Sequence, residues 1–127
     1  MDKVAQIKQF VEDKKDLIID TSMKVWEAAE LGFQETKSAD AIIAALKAEG
    51  FEVTTGLGGI PTAFKGVFGS GHPAVGILGE YDALPSLSQK PGCTHHDELV
   101  AGGNGHGCGH NALGAGSLGA VIAVKEY

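Results

Sequence analysis

Apolar positions recur at three- and four-residue steps from residue 3 to about residue 31. Val4, Ile7, Val11, Ile18, Val25 and Ala29 fall on one stripe with Trp26 beside it, the period of an amphipathic helix. Asp13-Lys14-Lys15-Asp16 interrupts the stripe, as a solvated turn or as a break between two helices. Gly32 stands where a helix stop is expected. A further helix is expected from Thr36, as N-cap, to Gly50. It turns Ala39, Ile42, Ile43 and Leu46 inward, and Phe51 packs back on its last turn. This half reads as a structural, helical lead-in without a catalytic constellation.

Beyond residue 50 the period shortens. Phe51–Thr55 alternates apolar and polar, Pro61–Phe68 makes a second strand-like run, and Ala74–Gly79 a third. The short turn Gly69-Ser70-Gly71-His72 predicts antiparallel pairing of the second run with the third. The third run is apolar on both faces, like a strand covered on both sides. It ends in Glu80-Tyr81-Asp82, and ligands gather at strand carboxyl ends in open α/β sheets. Acidic residues also mark where a strand leaves a core, so both readings stand. Residues 83 to about 105 show no period, and so long a loop is functional or disordered. From Asn111, a good N-cap, the pattern is helical to Tyr127. Gly114, Gly116 and Gly119 each cost about 1 kcal/mol against alanine there, which predicts a face pressed against a sheet. The expected class is α/β: lead-in helices, three or more strands of a mixed sheet and a Gly-rich C-terminal helix.

Composition narrows the field. At 127 residues the chain is one domain or part of one. A net charge of −6 argues against nucleic acid or an anionic membrane as partner, since both reward clustered Lys and Arg. No apolar run reaches the ~20 residues of a membrane span, and no basic-then-apolar leader opens the chain. Two cysteines outside any C-x-x-C pair give no disulfide framework, so reduced thiols and a cytoplasmic location are expected.

The densest chemistry is Gly102-Gly103-Asn104-Gly105-His106-Gly107-Cys108-Gly109-His110-Asn111. Cys108-x-His110 joins a thiolate and an imidazole, donors suited to zinc or a softer late first-row ion rather than to magnesium or calcium. Two ligands do not complete a site. Cys93-x-His95 repeats the spacing, with His96 beside it, so Cys93, His95, Cys108 and His110 form a rival candidate, a small structural zinc module. Gly107-x-Gly109-x-x-Ala112 also fits a loose dinucleotide loop, but that fingerprint must directly follow a strand.

Three segments carry a resemblance: Trp26-Glu27-Ala28-Ala29-Glu30-Leu31-Gly32-Phe33-Gln34-Glu35, Gly79-Glu80-Tyr81-Asp82-Ala83-Leu84-Pro85, and Gly105-His106-Gly107-Cys108-Gly109-His110-Asn111. In this order the sequence resembles the N-terminal part of the metal-dependent amidohydrolases related to aminoacylases, acetylornithine deacetylase and succinyl-diaminopimelate desuccinylase. Within them it looks most like the branch of auxin-conjugate and aminobenzoyl-glutamate hydrolases. The resemblance implies that residues 1–127 are part of a zinc-peptidase-like catalytic domain. Its C-terminal half, an inserted dimerisation domain, the later histidine ligands and a glutamate base would lie outside them. It further implies Cys108 and His110 as metal ligands, manganese or zinc as cofactor, and Asp82 as a site-orienting carboxylate. Glu80 occupies the place of a histidine ligand in the wider family, and His106 sits beside the ligands. The implied reaction is hydrolysis of a small-molecule amide, of N-acyl amino acid or aminobenzoyl-glutamate type, by cation-activated water with a carboxylate base. The chain alone is expected to be inactive, working as a homo-oligomer or with a partner subunit. A non-catalytic remnant that self-associates through uncovered apolar surface is the remaining alternative.

Overall fold

The computed structural model describes residues 2–127. The amphipathic stripe forms two helices, α1 (Lys3–Asp13) and α2 (Lys15–Ala28), which break at Lys14 inside the polar run. α1 lies at the periphery and buries no residue. Its Ile7 and Val11 face Ile18, Gly116 and Val124 across an apolar groove. α2 ends before Gly32, because Ala29 itself takes the left-handed conformation at φ 43°.

α3 (Thr36–Ala48) starts one residue earlier than its expected cap allows: Thr36 is the first helical residue and Glu35 the flanking one. The capping group comes from further back. The Glu30 carboxylate accepts from the Lys37 amide at 3.0 Å, and from the Ser38 amide and hydroxyl at 2.9 Å each. A negative charge on otherwise orphaned N-terminal amides is favourable both as hydrogen bond and against the helix dipole. Burial alone would raise the Glu30 pKa, but these bonds, with the Lys37 charge, hold it below the usual carboxylate value.

α4 (His110–Glu126) packs on α2, with α1 and α3 beside it. Val25, Ile42, Ala45, Leu46, Phe51, Leu118 and Ile122 form the core between these helices. Each large side chain buried this fully is worth roughly 1.5–3 kcal/mol. One ionic tie joins the helix ends. Glu49, after α3, takes Lys14 at 2.7 Å and Lys125 at 3.1 Å. Burial pushes Glu49 upward, yet the two lysines outweigh it and lower its pKa.

The sheet differs from expectation. β1 (Glu52–Thr55) pairs antiparallel with β2 (Phe64–Val67), Thr55 facing Phe64, and these are the only two sheet strands among the described residues. The expected third strand, Ala74–Gly79, does not form and β2 does not pair with it. A strand exists through its neighbours' backbone groups, and here the segment meets a helix instead. Leu78 carbonyl accepts from Ser117 Oγ on α4 at 2.9 Å, and Gly79 lies against Ser117. Leu78 is left 94% exposed and Val75 72%. The glycine face of α4 is therefore not pressed on a sheet. Gly119 packs on Ile18 of α2, Gly114 meets the Glu80 carbonyl and the Tyr81 side chain, and Gly116 touches nothing closely. No helix among the described residues is long and apolar enough to cross a membrane.

Candidate functional site

α4 begins at His110 rather than after Asn111. Gly109 flanks it in the left-handed conformation at φ 75°, a backbone state that a side chain resists. That turn sets His110 in the first turn of the helix, and frees Asn111 to donate to Ser22 Oγ of α2 at 3.1 Å. The Glu80–Asp82 segment is brought to the same helix mouth because Gly114 lets its backbone approach. A Cβ at Gly114 would stand 3.0 Å from the Glu80 carbonyl. Tyr81 fixes the segment from its other side, its hydroxyl donating to the Thr62 carbonyl and its ring lying 5.7 Å from Phe64. Burial, with the Glu35 charge adding to it, pushes the Tyr81 hydroxyl up to about 12.

The result is a histidine between two carboxylates. His110 Nδ1 is 2.7 Å from Asp82 Oδ1 and its Nε2 is 3.1 Å from Glu80 Oε2. A neutral imidazole that donates Nδ1–H to Asp82 presents a lone pair at Nε2. That lone pair facing a carboxylate oxygen requires a proton or a cation between them. The carboxylate–histidine pair is also the arrangement that orients a metal-ligating ring. Cys108 is exposed at the rim, two residues before His110. Thiol, imidazole and carboxylates are in kind the donors that zinc accepts, and manganese through its oxygens. The residues present thus fit a divalent cation, though Cys108, His110 and Asp82 do not converge as a tight threesome.

His106 turns away from this group. Its Nε2–H donates to the Val25 carbonyl at 3.0 Å, and its Nδ1 is buried without a partner. Burial is the main cause holding its pKa below the usual imidazole value. His106 thereby pins the glycine run to α2, with Asn104 donating to the Ala29 carbonyl at 3.1 Å. The loop before it is held by reciprocal bonds between Leu84 and Gly105 at 2.9 and 3.0 Å. That pairing follows no sheet strand, so the dinucleotide reading lacks its required context.

The four-residue zinc module does not assemble. Among the described residues, the one tight threesome of metal-ligating groups is Cys93, His95 and Asp97, without Cys108 or His110. Sequence reasoning missed Asp97, although Cys93-x-His95-x-Asp97 continues the same two-residue step. It also passed over Glu35, whose Oε2 is buried without a partner. Glu35 Oε1 and Asp82 Oδ2 both lie within 4.0 Å of where a Gly32 Cβ would sit. Its place at the end of the first of the three motif segments was the available signal.

No family model matches the chain. The likeness to known proteins lies with part of a hydrolase. The chain is 42% identical over 126 aligned residues to the B subunit of p-aminobenzoyl-glutamate hydrolase from Escherichia coli (strain K12). That alignment takes in 96% of this chain and 26% of the relative, so the chain spans about a quarter of that protein's length. The resemblance read from three short segments is thus carried by identity along nearly the whole chain.

Proposed function

We propose that this chain supplies one wall of the catalytic site of a metal-dependent amidohydrolase acting on an N-acyl amino acid or aminobenzoyl-glutamate type of amide. The observation that carries the proposal is His110 held between Asp82 and Glu80. Cys108 and His110 would hold the cation, manganese or zinc, with Glu80 as a further oxygen donor. When bound, such a cation polarises an amide carbonyl and acidifies water. Asp82 fixes the ring of His110 and its tautomer. Tyr81, anchored on Thr62, keeps both neighbouring carboxylates at the helix mouth. The wall is incomplete in this reading, so catalysis requires further residues, from a longer chain or from a partner, and the purified chain hydrolyses no amide. The relative is named as one subunit of its hydrolase, which supports assembly with a partner.

Calorimetric titration of zinc or manganese tests this, performed in a His95→Gln background so that Cys93 and Asp97 lack their third group. Asp82→Asn is expected to weaken cation binding about 10- to 100-fold, and His110→Ala to abolish it. Binding unchanged by both substitutions overturns the assignment. Metal-dependent hydrolysis of aminobenzoyl-glutamate by the purified chain overturns its incompleteness.

A further inference from the structure

We propose that Cys93, His95 and Asp97 form a second cation site, for zinc or another thiophilic divalent ion, separate from Cys108 and His110. Sγ of Cys93, a ring nitrogen of His95 and a carboxylate oxygen of Asp97 all lie within 4.8 Å of one another. The chain bends at Thr94 and His95, and this bend, closed by the Lys90–Asp97 backbone bond, gathers the three donors locally. Three protein ligands with an open fourth position are enough for zinc. The mix of sulfur, nitrogen and oxygen selects against magnesium and calcium.

The backbone beneath the donors is already fixed, by bonds that use none of the ligand atoms. Gln89 Nε2 donates to the His95 carbonyl at 2.9 Å and Gln89 Oε1 accepts from the Asp97 amide at 3.1 Å. The Lys90 amide donates to the Asp97 carbonyl at 2.9 Å. Cys93 and Asp97 are half-buried while His95 is exposed, which leaves an entrance from solvent. One group opposes the ion: Lys90 Nζ lies 2.8 Å from Asp97 Oδ1. It occupies one carboxylate oxygen and repels a dication, but the second oxygen stays open.

The same loop continues into the run that carries Cys108. Ser88 reaches it twice, its amide donating to the Gly103 carbonyl at 3.0 Å and its buried hydroxyl accepting from the Val100 amide at 3.0 Å. A cation on Cys93, His95 and Asp97 fastens the far end of this loop, and so acts as a structural clasp for the glycine run.

The test uses zinc, and then cobalt(II) as a spectroscopic probe, on the Cys108→Ser chain, in which Cys93 is the remaining thiol of the two in the sequence. One zinc per chain and a thiolate-to-cobalt charge-transfer band are expected. His95→Gln, at an exposed position, should weaken binding by about tenfold or more, and Asp97→Asn likewise. Lys90→Gln should tighten it, because a like charge is removed. Absence of the thiolate–cobalt band from Cys108→Ser overturns the site, as does a band that neither His95→Gln nor Asp97→Asn weakens. Every protein in the set lacks Cys108, so failure of the Cys108–His110 reading does not alter these outcomes.

Discussion

The helical half of the molecule and the stretch from residue 69 to residue 109 are held together by different forces. Between α2, α3 and α4 the cohesion comes from side chains: Val25 and Ile122 are each 1% exposed and Leu118 2%. From residue 69 to 109 there is almost no apolar burial of that kind; Ala83 is its buried hydrophobic residue. Order there comes from backbone pairs such as Leu84–Gly105 and Ser88–Gly103, and from glycines that let two backbones touch. The first region resists volume change through a shared core. The second tolerates exposed apolar side chains yet rejects a single added methyl group at Gly105. The glycine run and the Glu80–Asp82 segment sit in the second region, next to His110 at the start of α4, and borrow their rigidity from the first, through His106 on Val25 and Gly114 on Glu80.

Emptying the core puts this contrast under the heaviest strain. Ile122→Ala removes a side chain buried among Val25, Leu46 and Leu118, and should cost about 3–4 kcal/mol, the usual cost of such a cavity. Urea denaturation followed by far-ultraviolet circular dichroism measures it. Loss should be global and two-state, with α2, α3 and α4 melting together. A change below about 1 kcal/mol would mean that the helices do not share one core.

In the loop region the corresponding change is one atom. A Cβ at Gly105 would stand 1.9 Å from the Leu87 carbonyl oxygen, so the two segments must part. Gly105→Ala should cost about 2–3 kcal/mol by forced displacement of packed backbone. Unlike Ile122→Ala, its effect should be local. Hydrogen exchange at the Leu84 and Gly105 amides should accelerate, while protection in α2 and α4 persists. Equal loss of protection in both regions would show them to be one cooperative unit.

This division also decides how much of the molecule was legible in its sequence. Helices announce themselves through period, so α1, α3 and α4 were legible to within a residue or two; the interruption at Lys14 was visible without deciding between turn and break, and α2 stops at Ala28, short of the expected residue 31. The caps were not, because they come from elsewhere: Glu30 reaches forward to Lys37 and Ser38, and Gly109 displaces Asn111 from its expected role. Ala74–Gly79 has the composition of a covered strand, but composition does not supply a neighbour, and this segment meets Ser117 of α4. At the candidate site, Cys108 and His110 stood out by spacing, while Glu80 and Asp82 closed an apolar run and were tied to them by resemblance alone. That Asp82 and Glu80 take the two nitrogens of one ring depends on Gly114, whose effect is tertiary. Asp97 and Glu35 escaped because a single carboxylate has no periodic signature.

A milder substitution tests the charge at Glu30, which precedes the Leu31–Ala83 bridge and whose carbonyl accepts from the Ala83 amide at 2.7 Å. Its carboxylate is the cap of α3, so Glu30→Gln keeps the shape but removes the charge and one acceptor. The expected cost at neutral pH is about 1 kcal/mol, that of a helix cap. The pH dependence has a definite sign. The folded-state pKa of Glu30 lies below its unfolded value of 4.5. Its contribution is therefore complete above that value and is lost as pH falls through the folded pKa. Glu49 behaves in the same direction through Lys14 and Lys125, so acid weakens both proteins. Glu30→Gln should lose less stability than the parent between neutral pH and the acid end, and the two curves should converge below about pH 4.5. Thermal midpoints measured across that range decide the matter. Parallel curves would mean that the Glu30 charge contributes nothing to the cap, and that Gln serves Lys37 and Ser38 equally well.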